Sequence, residues 1–420
     1  MATPCQAGGR APTGFRRLNA SVGNVRGRGW LVVLAYCLVG AANQMVWLTY
    51  APVTTVAAGR LGVSETAVGW LANLFPLLYL PIAIPAGLAL DRWFRPTLLA
   101  GAALTAVGAS VRLVDETYAW ALLGQVLVAV AQPFVLNAVT SVTGHYLEEE
   151  DRPKGIALAT AATFAGFVLA FVLGAVLSPG DQLRTLVLVG ALVATAGAVA
   201  LGLALGLAPV AGRAVSGRVE WGQVRVTLSD PVLRRLVVVV AFPFGTFVAL
   251  STWGQALLEP AGVDADTASL MLLLTVVLGV AGCAIVPVLA AQRHAEVATM
   301  AGVLVVSGVA CIALALVPGV LTGFVGLGLV GLALLPAMPI VLEIVERRAG
   351  AAEGTAAGLV WLSGNLGGLV VAGVVGLLLD TPALGFLLCA VASFAAVPLV
   401  RGLRRQVPRE PHDGRPAPAR

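Results

Sequence analysis

The chain has 420 residues, of which 59% are hydrophobic and only 11% are charged, and its formal net charge is +5. A soluble domain carries about a quarter charged residues, so this composition excludes a water-soluble globular protein. The basic residues flank apolar blocks and form no patch interleaved with exposed aromatic residues, which excludes nucleic acid as a partner. The expected surroundings are a lipid bilayer.

Apolar blocks of about 20 residues recur along the chain, which is the length that crosses about 30 Å of hydrocarbon as a helix. They predict an all-α membrane protein with twelve transmembrane helices in two pseudo-symmetric six-helix halves. The predicted helices are 29–57, 66–89, 96–114, 117–142, 154–178, 183–208, 232–257, 265–290, 297–317, 320–344, 354–378 and 382–400. The predicted domains are an N-terminal tail (1–28), an N-terminal half (29–208), a central linker (209–231), a C-terminal half (232–400) and a C-terminal tail (401–420).

The basic residues are distributed unevenly between the two sides of these helices. If the N-terminus is inside, 23 of the 26 basic residues lie on inner segments, and the outer loops hold only Arg60, Arg112 and Arg184. The positive-inside rule therefore predicts that both termini and the linker are cytoplasmic. Lys154 is the only lysine, and this bias toward arginine indicates a GC-rich source. We expect a monomer in a bacterial plasma membrane.

The cysteines and histidines show no metal-ligand spacing, and the sequence shows no pairing of a nucleophile with a base. We therefore predict no metal site, no cofactor and no catalytic residue, and expect a protein that is not an enzyme. The expected partner is a small-molecule substrate.

A charged motif, 87–96, lies between the second and third predicted helices. Gly87 permits close helix packing, Asp91 can face the N-terminus of a neighbouring helix, and Arg92 and Arg95 supply positive charge. The spacing resembles the major facilitator signature G-x-x-x-D-R-x-x-R. The resemblance implies a transporter with alternating access and a conformational switch at these four residues. The alternative interpretation is an ordinary charged turn.

The predicted helices carry almost no ionisable side chain at mid-depth. Glu343 and Glu346 lie near the inner end of the tenth helix, and Glu346 is followed by Arg347 and Arg348. Glu343 is the only candidate proton carrier, and its alternative role is an acid paired with arginine. Because charge inside the membrane usually marks an ion pathway, its scarcity favours a facilitator driven by the gradient of its own substrate.

Aromatic and amide side chains are the candidate substrate contacts. Aromatic faces bind ammonium groups by cation–π attraction, and amides bind hydroxyl groups without adding charge. The candidates are Asn43, Gln44, Trp47, Tyr50, Gln132, Phe247, Gln255, Trp361 and Asn365. On the first helix the spacing of Asn43, Gln44 and Tyr50 from Trp47 predicts one shared face. The alternative role of any single tryptophan is packing against lipid or core.

Four segments carry a narrower resemblance, to the feline leukaemia virus subgroup C receptor-related family. They are 43–50 (N-Q-M-V-W-L-T-Y), 130–134 (V-A-Q-P-F), 247–255 (F-V-A-L-S-T-W-G-Q) and 353–359 (E-G-T-A-A-G-L). Members of that family are linked to choline and ethanolamine uptake and to haem export. The resemblance implies that Trp47 caps an ammonium group. Val248, Gly166 and Asn365 depart from the tyrosine and the two glutamines of the family, so a choline cage would be incomplete.

The leading interpretation is thus a secondary transporter for a small organic solute, such as a choline- or ethanolamine-like cation, that acts as a facilitator. The alternative is a major facilitator carrier for another metabolite or a drug, with proton coupling. The fourth helix lacks the arginine of many proton-coupled members, and the fifth lacks the Gly-Pro element of drug/proton antiporters. Both absences count against an antiporter.

Overall fold

The computed structural model describes residues 13–177, 182–207 and 222–405, and all regular structure in these ranges is helical. The helices are α1 (Thr13–Trp47), α2 (Thr54–Leu61), α3 (Glu65–Arg92), α4 (Phe94–Val111), α5 (Tyr118–Leu136), α6 (Val139–Tyr146), α7 (Arg152–Leu177), α8 (Leu183–Leu207), α9 (Gly222–Ser229), α10 (Pro231–Leu258), α11 (Ala265–Gln292), α12 (Glu296–Leu316), α13 (Val320–Leu334), α14 (Ala337–Ala349), α15 (Glu353–Gly376) and α16 (Pro382–Arg401). The beginning of the predicted N-terminal tail, most of the predicted linker and the end of the predicted C-terminal tail lie outside the described residues.

Twelve helical segments are long and apolar enough to cross a membrane, which confirms the predicted number. Helices α1 to α8 form the first half and α10 to α16 form the second. The first helix begins earlier than predicted, because α1 starts at Thr13, inside the predicted tail. Its candidate membrane-spanning segment is Gly27–Val53, close to the predicted 29–57.

The fourth spanning helix of each half is broken, where the sequence predicts one continuous helix. Residues 137–138 separate α5 from α6, and residues 335–336 separate α13 from α14. In the second half Pro336 lies at the break itself and has no backbone N–H to donate to the carbonyl one turn back. In the first half Pro133 lacks an N–H donor one turn before the break. Each half therefore bends at a corresponding place.

The end of the first spanning helix also differs from the prediction. Helix α1 ends at Trp47, and a turn and the short 3-10 helix Ala51–Val53 follow it. Pro52 has no backbone N–H to donate to Leu48 O, so a continuous α-helix would lose a hydrogen bond at this point. Tyr50 therefore lies beyond the helix and does not continue the face of α1 that carries Trp47, which corrects the expectation of one shared face.

The most extensive contacts between the halves are those of α3 with α15 and of α7 with α11. We call the end of the bundle with loops 147–151 and 350–352 the motif end, and the end with loops 48–53 and 112–117 the opposite end. The buried charged side chains at the motif end are Asp91, Asp151, Glu296, Glu343, Glu346 and Glu353. Arg112 is buried at the opposite end. Among the described residues, the middle of the bundle holds no buried charge.

The described part of the predicted linker consists of α9, Asp230 and Pro231, the first residue of α10. One oxygen of Asp230 accepts hydrogen bonds from Val232 N (2.7 Å) and Leu233 N (3.2 Å), which caps α10. Its other oxygen lies 3.2 Å from Arg348 Nη2. Partial burial raises the pKa of Asp230, but these hydrogen bonds and the charge of Arg348 outweigh burial and hold the pKa below its usual value.

Candidate functional site

Asp91, in the last turn of α3, caps a helix of the other half. One carboxylate oxygen accepts a hydrogen bond from Gly354 N at 2.6 Å, and the other accepts from Thr355 N at 2.9 Å and from Thr355 Oγ1 at 2.5 Å. Gly354 and Thr355 lie in the first turn of α15, whose free N–H groups and dipole attract an anion. The buried carboxylate thus joins the two halves at the motif end.

Glycines allow this close approach. A Cβ on Gly87 would lie 2.7 Å from both Gly354 O and Thr355 Cα, and a Cβ on Gly354 would lie 2.8 Å from Asp91 Oδ1. Backbones of α3 and α15 therefore touch where they cross, as small residues permit in membrane proteins. We call Gly87, Asp91, Gly354 and Thr355 the latch.

The two arginines of the motif contact aromatic side chains of the first half. The guanidinium of Arg92 lies 4.4 Å from the ring centroid of Trp93, next to it in the chain. Arg95, in the first turn of α4, donates from Nε to Tyr146 Oη at 2.9 Å, which braces the start of α4 against the end of α6. Of the four predicted switch residues, Gly87 and Asp91 contact the second half.

Two further contacts at the motif end join the halves. Arg152 Nη1 lies 2.8 Å from Glu346 Oε1, and the Glu346 carboxylate is almost completely buried. Thr140 Oγ1 donates to Glu353 O at 3.4 Å. The sequence analysis placed Glu346 beside Arg347, whereas the structure pairs it with the other half. The sequence could have indicated this pair, because Arg152 lies in a predicted loop on the same side of the membrane as Glu346.

Seven aromatic rings form a connected series, each in contact with a neighbouring ring. The series runs from α3 through α1 and α7 to α10 and α15. We call them the aromatic belt: Phe75, Trp47, Phe167, Phe164, Phe247, Trp361 and Phe244. Neighbouring ring centroids are 5.2 to 6.4 Å apart, within the range of favourable ring pairs. Phe164 and Phe247 lie near the middle of their helices, so the belt connects the halves at mid-depth.

Trp47 is held in a defined orientation in the first half. Its Nε1 donates to Ala72 O at 2.8 Å. Its ring stacks on Phe75, with a centroid distance of 5.2 Å and an interplanar angle of 14°, and meets Phe167 edge-on at 5.5 Å. The side chain is only half-buried, so part of the indole remains accessible to a ligand.

Phe164 of the first half meets both Phe247 and Trp361 of the second half, each at 6.4 Å. Trp361 also meets Phe244 edge-on at 6.0 Å. The buried Nε1 of Trp361 has no hydrogen-bond partner among the described residues. Since an unpaired buried donor is costly, this N–H is suited to an acceptor on a ligand. Phe164 and Phe167 were not predicted from the sequence. The pattern that could have indicated them is two aromatic residues on one face of a helix of mostly small residues.

The amide candidates occupy different surroundings. Asn43 Nδ2 donates to Thr105 Oγ1 at 3.1 Å and contacts Val128 O at 3.4 Å, so it binds helices of its own half. Gln44 is buried against α7 and Gln132 is buried on α5. Gln44 Oε1 and Gln132 Nε2 have no partner among the described residues, which leaves two amide atoms for a ligand or water.

Three other candidates lie apart from the ring contacts. Tyr50 is buried beyond α1, where the Arg112 guanidinium lies 5.7 Å from its ring centroid. Gln255 is exposed. Asn365 Nδ2 donates to Trp361 O at 2.8 Å, one turn back on α15. The structure therefore brings Trp47, Phe247 and Trp361 into the belt, and not Tyr50 or Gln255.

Two six-helix halves, joined at one end by a capped helix and in the middle by the aromatic belt, define a secondary transporter in which the halves move around a central site. The family model of the Major Facilitator Superfamily matches residues 32–372. The chain belongs to this superfamily.

Among curated proteins the chain is similar to two transporters of animals. It is 32% identical over 162 residues to the choline/ethanolamine transporter FLVCR1 of Felis catus, an alignment that covers 38% of this chain and 29% of that protein. It is 27% identical over 360 residues to solute carrier family 49 member A3 of Danio rerio, covering 81% of this chain and 76% of the relative. The match to FLVCR1 thus spans less than a third of that protein's length.

Solved structures show the same fold at low sequence identity. A variant of the E. coli fucose:proton symporter FucP superposes with a TM-score of 0.69 at 18% identity, covering 88% of this chain and 98% of that chain. A bacterial homologue of the iron transporter ferroportin gives 0.70 at 14% identity, covering 90% and 99%. These likenesses confirm the twelve-helix, two-half fold.

Proposed function

We propose that this transporter carries a small organic cation of the choline or ethanolamine class, down the substrate's own gradient. The observation that carries the proposal is the aromatic belt, which connects the halves at a depth where the described residues hold no buried charge. Aromatic faces in such surroundings attract a desolvated ammonium group by about 2 kcal/mol per ring. The similarity to FLVCR1 supports the same substrate class.

In this mechanism the structure is the state closed at the motif end. The latch and the Arg152–Glu346 ion pair hold the halves together there. A substrate arriving from the opposite end reaches rings from both halves, because Phe164 lies on α7 while Phe247 and Trp361 lie on α10 and α15. Drawing these rings together around the ammonium group favours closure of the opposite end and release of the latch.

We further propose that the chain is a monomer in a bacterial plasma membrane, with its motif end and both termini in the cytoplasm. The support is the distribution of 23 basic residues against three. Reporter fusions after Arg60, Arg112 or Arg184 are expected to report an outside location, and fusions after Arg95 or Arg348 an inside one. The reverse pattern would contradict the orientation.

Transport is tested with the purified protein in proteoliposomes. Labelled choline is expected to accumulate saturably, with competition from unlabelled ethanolamine. An inside-negative membrane potential should increase accumulation because the substrate is a cation. An imposed pH gradient at constant potential should leave the rate unchanged. Protein that exchanges no choline but transports other members of a metabolite mixture would rule out this substrate class.

The second candidate function is a proton-coupled carrier for another metabolite or a drug. The observation in its favour is Glu343, a buried carboxylate with one oxygen paired with Arg347 and the other, Oε2, without a partner among the described residues. Arg347 also lies 3.2 Å from Glu296. Stimulation by a pH gradient in the same vesicles, abolished in Glu343→Gln, would establish proton coupling and contradict the facilitator.

A further inference from the structure

Arg112 is a buried cation at the opposite end of the first half, separated from the motif by the length of α4. It follows α4 and is only 4% exposed. Its guanidinium lies beside Tyr50, with 5.7 Å between the guanidinium carbon and the ring centroid. A Cβ on Gly124 of α5 would overlap the Arg112 side chain, and one on Gly190 of α8 would lie 3.3 Å from Nη2. Two glycines on different helices thus provide the space for this side chain.

The guanidinium lacks a counter-charge among the described residues. Nε contacts Ala109 O at 3.4 Å, but Nη1 and Nη2 have no hydrogen-bond partner there. Arginine remains protonated in proteins. A buried, unpaired charge is strongly unfavourable, so this position favours binding of an anion.

Nearby carboxylates are already engaged. Glu116 lies 3.7 Å from Arg60 Nη1 and 3.5 Å from Arg184 Nη1. Asp115 Oδ1 accepts a hydrogen bond from Glu116 N at 2.9 Å. Glu116 is thus paired with two arginines other than Arg112, and one oxygen of Asp115 is held by the backbone.

A small cavity lies against Arg112. Its volume is about 20 Å³, and Tyr50, Ala121 and Leu183 form part of its wall, with Asp115, Glu116 and Arg184 also at its edge. A cavity of about 10–15 Å³ holds one water molecule, so this one has room for a single atom-sized ion. It is too small for a phosphate group or an organic anion.

We propose that Arg112 binds a small monovalent anion of the halide class, chloride in ordinary buffers, in this cavity. The anion neutralises the guanidinium and ties the end of α4 to the turn after α1, to α5 and to α8 within the first half. The site is separate from the aromatic belt and does not depend on the identity of the transported substrate.

The test is the thermal stability of the full-length protein in detergent, in sodium chloride or sodium gluconate at equal ionic strength. Chloride and bromide are expected to raise the unfolding midpoint saturably by several degrees, because a ligand of the folded state stabilises it. Arg112→Gln should abolish the difference between the salts. The matched control is Arg60→Gln, which removes the same charge from a more exposed position at the same end and should retain the full response.

A second variant tests the proposal if Arg112→Gln does not fold. Gly190→Ala retains the charge but crowds Nη2, and should raise the half-maximal chloride concentration at least about tenfold, since binding depends steeply on this geometry. An anomalous signal of bromide beside Arg112 in a crystal would give direct support. Equal midpoints of the wild type in chloride and gluconate would overturn the proposal. A halide response unchanged in both Arg112→Gln and Gly190→Ala would overturn it equally.

Discussion

Replacing Asp91 with alanine is expected to open the motif end. The substitution removes the carboxylate that accepts three hydrogen bonds. The N–H groups of Gly354 and Thr355 then lose their acceptor. Hydrogen bonds to a charged group contribute about 1.5–3 kcal/mol, so a loss of about 2–3 kcal/mol would shift the balance between closed and open states roughly 30- to 150-fold. Asp91→Asn keeps one acceptor oxygen and should shift it less. Equilibrium affinity for the substrate should fall only modestly.

Electron–electron distances between spin labels measure this shift. Glu149 and Arg293 are exposed on different halves at the motif end, so Glu149→Cys with Arg293→Cys provides the labelling pair. Cys37, Cys283, Cys311 and Cys389 are buried, and Cys5 is replaced by serine. In Asp91→Ala the distribution should move to longer distances.

The matched control is Asp230→Ala, because Asp230 also caps a helix but its contacts among the described residues are with its own half. It should lose about 1 kcal/mol of stability and leave the label distances unchanged. An unchanged distribution in a folded Asp91→Ala protein would show that the latch does not hold the halves. A collapse of substrate binding would instead assign Asp91 to the substrate site.

Replacing Trp47 with alanine is expected to weaken binding of an ammonium substrate by about 1–2 kcal/mol, roughly five- to thirtyfold. The reason is loss of the partly accessible ring that Ala72, Phe75 and Phe167 hold in place. Trp47→Phe keeps a ring and should lose less affinity, although it removes the hydrogen bond to Ala72 O. Affinity is measured as the choline concentration that protects the protein from thermal unfolding.

Trp253 supplies the control for this variant. It occupies the first helix of the second half, as Trp47 does of the first, and its Nε1 donates to Ala372 O at 2.8 Å. Trp253 takes no part in the ring pairs between described residues that form the aromatic belt. Trp253→Ala should therefore cost stability comparable to Trp47→Ala without changing choline affinity. Equal affinity in wild type and folded Trp47→Ala would assign Trp47 to packing alone.

The sequence predicted the candidate site unevenly. Gly87 and Asp91 could be predicted as switch residues because the motif is contiguous in the chain. Its spacing indicates which residues face outward from the end of one helix. The stripe of Asn43, Gln44, Trp47 and Tyr50 assumed that α1 continues past Trp47, and the turn before Pro52 ends it. Helical spacing also does not show which neighbour each face meets, so Asn43 could not be assigned to Thr105 from its position alone.

Twelve spanning helices followed from the sequence by itself, because in hydrocarbon every backbone group must be paired within its own segment, and an apolar run of about 20 residues has no alternative to a helix. Partners between helices were decided by the tertiary structure. Lipid-facing and buried faces are equally apolar, so the spanning helices carry little amphipathic signal to orient them. Three contacts join residues of different halves: Asp91 caps α15, Arg152 pairs with Glu346, and Phe164 contacts Trp361. Only the folded arrangement of those halves brings such distant residues together.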